Sequence, residues 1–139
     1  MPNQIVVAGA LIAGSALLVA QRERPPELAG LWELPGGKVA PGETDADGLA
    51  RELHEELGVL VTVGERLGDD IALNEAMTLR AYRVTQTGGF LRPNDHCALR
   101  WVTANELAGL PWVPADRAWV ADLARALHHE VDVGEDKVE

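Results

Sequence analysis

The sequence predicts a single α/β domain of the α+β kind, built on a mixed central sheet. Its 139 residues fit one domain and leave little room for two. Apolar residues make up 47% and charged residues 24%, the balance of a chain that buries a core and is not disordered. Strand-like and helix-like segments interleave, without the regular alternation of a doubly wound sheet. The domain is expected over residues 1–130, with 131–139 a charged, disordered tail.

The elements follow in order. Ile5 to Ala20 runs sixteen residues without a charge. It is too short for a membrane span, which wants about 20 apolar residues. It lacks the leading positive charge of a signal peptide. Gly14-Ser15 splits it into two apolar runs, which predicts a hairpin of strands at Ile5–Ala13 and Ala16–Gln21, buried on both faces. Pro25, Pro26, Gly30 and Pro35-Gly36-Gly37 mark 23–43 as loop with short extended pieces. Thr44 and Asp47 resemble a capping box, and Gly58 a C-cap, around a helix whose Ala46, Leu49, Ala50, Leu53 and Leu57 recur at helical spacing. Strands are expected at Val59–Val63, Thr78–Thr85 and Leu99–Val102. Thr103 and Glu106 form a second capping box for a short helix ending near Gly109. Pro114 suits the first turn of a last helix that reaches about His128.

Charge and cysteine content narrow the function. Asp and Glu number 22 against 12 Lys and Arg, a formal net charge of −10. No Lys/Arg cluster offers a groove for polymeric nucleic acid, which this charge would repel. A small polyanion arriving with a divalent cation is compatible with it. The single Cys97 excludes an internal disulfide framework and a multi-cysteine metal site, and suits a reducing cytoplasm. It is expected to be a buried hydrophobe. Trp32, Trp101, Trp112 and Trp119 are expected in core and rim packing. His54, His128 and His129 are expected on helix surfaces, and His96 in an exposed loop.

The chemistry is concentrated in Gly37–Val59, GKVAPGETDADGLARELHEELGV. At 100° per residue, Glu52, Glu55 and Glu56 fall within about a 100° arc of the helix, beside the core-facing Leu49, Leu53 and Leu57. Like charges at i,i+4 cost a few tenths of a kcal/mol, so an acidic stripe needs a reason. The preceding Pro35-Gly36-Gly37 loop can bring backbone carbonyls close to these carboxylates. Oxygen-only ligands at such a site suit a hard cation, Mg²⁺ or Mn²⁺.

This segment resembles the signature of the Nudix hydrolases, G-x5-E-x7-R-E-U-x-E-E-x-G-U with U apolar. Gly37, Glu43, Arg51, Glu52, Leu53, Glu55, Glu56, Gly58 and Val59 match every fixed position. Seven fixed letters at roughly 1-in-15 usage coincide by chance on the order of once in 10⁸ starts. The flanking LWELPGGK (Leu31–Lys38) is similar to the lead-in of the MutT-like branch, and the likeness extends loosely to the last helix. The resemblance implies an α/β/α sandwich and a Mg-dependent hydrolase of nucleoside diphosphates linked to a leaving group. It assigns Glu52, Glu55 and Glu56 to the metal, with the Gly36 carbonyl as a further ligand and a bound water attacking phosphorus. Arg51 would orient a glutamate and Glu43 would fix Arg51. Arg22 and Lys38 match positions that touch phosphate, and each could equally be a solvated surface charge. Glu33 is a lesser candidate for metal or phosphate-water contact. Asp95 resembles an acidic residue that supplies a metal ligand or general base in some relatives, or it is a turn aspartate.

Subtype marks follow the same resemblance. Gly68–Arg80 carries neither the Pro of sugar-nucleotide hydrolases nor the Tyr of diadenosine-polyphosphate hydrolases. That favours nucleoside triphosphates, split to monophosphate and pyrophosphate. LPWVPADRAWV (Leu110–Val120) resembles the base-reading segment. Members that sanitise oxidised guanine carry Asn where this chain has Asp116, and the Pro-Ala-Asp form looks more like CTP pyrophosphohydrolases. An ionised Asp116 would only accept hydrogen bonds, which suits the amino group of cytosine. It could instead compensate a helix N-terminus, worth about 0.3–1 kcal/mol. CTP or dCTP is therefore expected first and 8-oxo-dGTP second, with a catalytically silent nucleotide-sensing module as the rival of another class. The intact glutamate set and the absence of a second domain argue against that rival. No membrane or polymeric nucleic-acid partner is expected, and a monomer is expected before a dimer.

Overall fold

The computed structural model describes residues 3–94 and 98–128. In chain order its elements are β1 (Gln4–Ala13), β2 (Ala16–Gln21), β3 (Trp32–Glu33), β4 (Gly36–Lys38), α1 (Asp45–Leu57), β5 (Val59–Asn74), β6 (Met77–Gly89), β7 (Ala98–Thr103) and α2 (Ala104–Leu107). A 3-10 turn, Asp116–Trp119, runs into a last helix, α3, at 120–128.

The sheet is arranged around β1. Along one edge β1 pairs in parallel with β6, from Gln4↔Met77 to Leu11↔Val84. Its other edge is divided. β2 occupies only Ile12 and Ala13, beside the Gly14-Ser15 turn, and β4 occupies Val6 to Ala8. The hairpin therefore opens after two residue pairs. The chain after β3 crosses through the opening, with Gly9 N–H donating to Pro35 O at 2.8 Å. β2 continues on its own, flanked by β3 on one side and β7 on the other. β5 lies antiparallel to β6 and forms the outer edge.

Side chains alternate across β1 and β2, as a strand requires. Val7, Leu11 and Leu18 face Leu49, Leu53 and Leu57 of α1. Ala8, Ala10, Leu17 and Val19 face Leu107, Trp112, Trp119, Leu123 and Leu127. The sheet thus lies between α1 and the C-terminal helices, the expected mixed sheet within an α/β/α sandwich. No helix among the described residues is long and apolar enough to cross a membrane.

Capping follows the sequence closely. Thr44 Oγ1 accepts from Asp47 N–H at 3.1 Å, and Gly58 (φ 75°) closes α1 by donating to His54 O at 2.9 Å. Glu106 accepts from Thr103 N–H at 2.9 Å at the start of α2. The β5–β6 ribbon departs from expectation. It extends over Val59–Asn74 and Met77–Gly89, well beyond the anticipated Val59–Val63 and Thr78–Thr85. Register shifts at Val63/Arg66 and Leu67/Ile71 break the apolar alternation, and the exposed edge carries Glu65, Arg66, Asp69 and Asp70, which blunt it against pairing. Pro114 precedes a 3-10 turn and not the α-helix itself. Trp112 and Trp119 are buried, each donating its ring N–H to a backbone carbonyl. Trp32 is half-buried, whereas Trp101 is exposed on β7. His54 and His128 are exposed as expected; His96, Cys97, His129 and the tail at 131–139 lie outside the described residues.

β4 is squeezed between β1 and α1, and its glycines show how tightly. A Cβ on Gly36 would lie 1.9 Å from the Val7 carbonyl oxygen, and one on Gly37 would lie 2.3 Å from the Glu52 carboxyl carbon. Backbone cannot retreat, whereas the end of a glutamate side chain can. Gly36→Ala should therefore cost about 3 kcal/mol or more, or prevent folding. Gly37→Ala should cost clearly less. Denaturant melts of the two variants check this, and equal losses would show that β4 is looser than described.

Candidate active site

The glutamates of α1 are held by one guanidinium. Arg51 donates from Nε and Nη2 to Glu43 at 2.7 and 2.9 Å, from Nη1 to Glu52 at 2.9 Å, and from Nη1 to Glu55 at 3.3 Å. A further Nη2–H reaches Lys38 O at 3.1 Å, which ties α1 to β4. Glu43 is fixed from behind by Ala40 N–H at 2.8 Å. Arg51's hydrogen bond, then that of Ala40 N–H, holds the Glu43 carboxyl down at about 2. The Arg51 pKa is raised in turn, first by Glu43 and then by Glu52. Glu52 is mostly buried, at 17% side-chain exposure, whereas Glu55 is 56% exposed. Glu56 lies half-buried on the same face.

The N-terminus of α1 is pinned separately. Asp45 accepts from Arg80 at 2.8 Å and from Tyr82 at 2.7 Å, both on β6. Burial pushes the Asp45 carboxyl up, but these two hydrogen bonds outweigh it and the pKa falls. Helix position thus depends on Arg80 and Tyr82, within the strand expected at Thr78–Thr85.

Beside the glutamate face opens a cleft of about 450 Å³. Arg22, Glu33, Lys38 and Asp116, the substrate candidates of the sequence, all line it, together with Gly36 and Gly37. Arg22 donates to both Glu33 oxygens, at 3.0 and 3.2 Å, and to Arg24 O at 3.0 Å. Asp116 is only 4% exposed, and accepts from Leu34 N–H at 2.7 Å. Asp116 also stands in the first turn of the 3-10 helix, so the tertiary contact to Leu34 adds to a helix N-terminal position. Burial raises the Asp116 carboxyl to about 7, against the lowering effect of Leu34 N–H and with a further push from Glu33. Burial thus favours the protonated carboxyl, which can donate as well as accept. The remaining wall is aliphatic, with Leu28, Leu73, Met77 and Val113. Sequence reading missed this wall, because Leu73 and Met77 belong to the unexpected part of the ribbon. Asp95 lies outside the described residues.

The residues suit a divalent cation. Every donor on the α1 face is a carboxylate oxygen, the preference of a hard ion. The absence of a side chain on Gly37 leaves the Glu52 carboxylate lying against the β4 backbone. Among the described residues no three acidic, His or Cys side chains converge on one point, since Glu52 and Glu55 are turned onto Arg51.

Known proteins are similar to this chain in sequence and fold. The family model described as the NUDIX domain matches residues 2–123. "Putative 8-oxo-dGTP diphosphatase 2" of Mycobacterium tuberculosis is 66% identical over 131 residues, covering 92% of this chain and 93% of that protein. CTP pyrophosphohydrolase of Escherichia coli is 39% identical over 113 residues, covering 80% and 84%. The solution structure of the E. coli ORF135 protein superposes with a TM-score of 0.76 at 33% identity, over 92% of each chain. With the glutamate helix, its arginine and the diglycine strand in one place, the chain belongs to the Nudix family, whose members are hydrolases of phosphoanhydrides.

Proposed function

We propose that this enzyme hydrolyses a nucleoside triphosphate to the monophosphate and pyrophosphate. One observation carries the reading: the glutamate face of α1 and the nucleotide-sized cleft meet across Gly36-Gly37. A substrate in the cleft would have its phosphates beside the carboxylates and its base toward Asp116. Glu52, Glu55 and Glu56 hold the cation, with the Gly36 carbonyl available beside them. When bound, a divalent cation supplies charge neutralisation and Lewis acidity to the phosphate chain. Arg51 orients Glu52 and Glu55, and Glu43 keeps Arg51 in place. Arg22 and Lys38 face the phosphates, and Glu33 sets the direction of Arg22. Water adds to phosphorus, the bridging P–O bond breaks, pyrophosphate leaves, and the proton passes to a carboxylate.

For the base we favour oxidised guanine, with cytosine second. The 66% identical relative named for 8-oxo-dGTP supports the first over nearly the whole chain. The 39% identical CTP pyrophosphohydrolase and the Pro-Ala-Asp segment support the second. A partly protonated Asp116 both donates and accepts, so it can serve either base, and the order of preference rests on the relatives. Pyrophosphate release with Mg²⁺ across 8-oxo-dGTP, dGTP, CTP, dCTP and UTP tests the reading. No release from any of them would leave the nucleotide-sensing alternative standing.

Glu55→Gln and Glu56→Gln should each lower kcat by about 10² or more at saturating Mg²⁺, an effect of about 3 kcal/mol. Near-normal turnover in either variant would remove that residue from the site. Asp116→Ala should lower kcat/KM for the preferred nucleotide about ten- to two-hundred-fold, the worth of one base contact. An unchanged CTP:UTP ratio in a folded variant would show that Asp116 does not read the base.

Asp116 also makes a stability prediction. Its folded pKa of about 7 lies above the ordinary 3.8. Its stabilising contribution is therefore complete below about pH 4 and is lost as pH rises through about 7. Asp116→Asn keeps an acceptor for Leu34 N–H and carries no charge. At pH 8 it should melt above the unaltered protein by about 5 °C or more, with the gap narrowing toward pH 5. Thermal melts at the two pH values check it, and a gap independent of pH would mean that Asp116 is ionised in the cleft.

A further inference from the structure

The C-terminus of α1 is finished by a loop from another part of the chain. The last four carbonyls of a helix have no partner inside it. Here they are His54 O, Glu55 O, Glu56 O and Leu57 O. Gly58 N–H donates to His54 O at 2.9 Å, and Arg92 N–H to Leu57 O at 2.8 Å. Asn94 takes the two between them. Its backbone N–H donates to Glu56 O at 2.9 Å, and its side-chain Nδ2–H to Glu55 O at 3.0 Å. All four carbonyls are satisfied, and among the described residues Asn94 alone supplies a side chain for the purpose. The Asn94 N–H is shared with Arg92 O at 3.0 Å, so the chain turns tightly at Pro93 against the helix end.

The two carbonyls that Asn94 holds belong to Glu55 and Glu56. Glu55 is the most exposed member of the Arg51 network and has the longest contact with the guanidinium, 3.3 Å. Its side chain is therefore placed mainly by its backbone, and that backbone is fastened from outside by Asn94. We propose that Asn94 is a positioning residue for the cation site. By closing the last turn of α1 it holds the Glu55 and Glu56 backbones at one spacing, so that their carboxylates meet a divalent cation without a prior ordering cost. The inference rests on the metal role of those glutamates proposed above. Asparagine suits the task because it donates, whereas aspartate, of the same shape, cannot.

The test is a titration of the nucleotide-free protein with Mn²⁺, followed by electron paramagnetic resonance, for Asn94→Asp and Asn94→Ala beside the unaltered chain. Asn94→Ala keeps the backbone bond to Glu56 O and loses only the side-chain bond, whereas Asn94→Asp also sets a carboxylate against Glu55 O. Both variants should bind Mn²⁺ about ten-fold more weakly, with melting temperatures within a few degrees of the parent. Thr103→Ala, which loosens the start of α2 away from the glutamates, should leave the Mn²⁺ affinity unchanged. Parent-like affinity in Asn94→Ala would overturn the proposal. So would loss of fold in both Asn94 variants, because the residue would then be structural. Glu56→Gln in the same titration separates the two levels. Weaker binding there with no change in the Asn94 variants removes Asn94 alone, and no change in Glu56→Gln removes the metal reading itself.

Discussion

The site depends on how little room β4 has. Gly36 and Gly37 are wedged between the backbone of β1 and the carboxylate of Glu52, with no space for a side chain on either. The wedge exists because the β1–β2 hairpin opens after two residue pairs and lets the chain cross at Pro35. From that crossing follow the cleft on one side, lined by Arg22, Lys38 and Asp116, and the glutamate helix on the other. A bulkier residue at either glycine would move the cleft away from the carboxylates. The diglycine is thus a spacer of minimum thickness between the cleft and the glutamate face of α1.

Electrostatics shape the same place. Three carboxylates on one helical face repel one another, and they lie in the last turns of α1, where the helix dipole is negative. Both effects are unfavourable for the glutamates and favourable for a cation. Arg51 offsets the repulsion by touching Glu43, Glu52 and Glu55 at once. The energy stored in the cluster is therefore available to a divalent ion, which can replace the weaker, more exposed Arg51–Glu55 contact more easily than the Arg51–Glu43 pair.

Much of this was legible in the residues. Thr44, Gly58, Thr103 and Glu106 cap as their chemistry dictates, because capping is a local matter. The glutamate stripe needs only the helical repeat, and the Glu43–Arg51 pair only the turn before it. What could not be read is long-range. The bond from Leu34 N–H to Asp116 joins positions 82 apart in the chain, and the burial that accompanies it, which raises the carboxyl against the pull of that bond, has no sequence-local signal. The full β5–β6 ribbon was hidden by bulges and by the charges of its exposed edge, and with it the Leu73 and Met77 wall. Asn94 gave no signal of its own, since a Pro-Asn pair reads as an ordinary turn.

The parallel pairing of β1 with β6 also bears on how the chain is made. Gln4 emerges first from the ribosome, yet its partner Met77 follows more than seventy residues later. At about 5–20 residues per second, the uncharged stretch from Ile5 to Ala20 waits several seconds without its main neighbour. Its sixteen apolar and small residues have strand character and no charge to deter association. A hairpin that is deeply buried in the finished fold is for that interval without the strand that covers its edge. Non-local pairing of this kind also slows folding, so the same strand that organises the sheet sets the pace at which it can assemble.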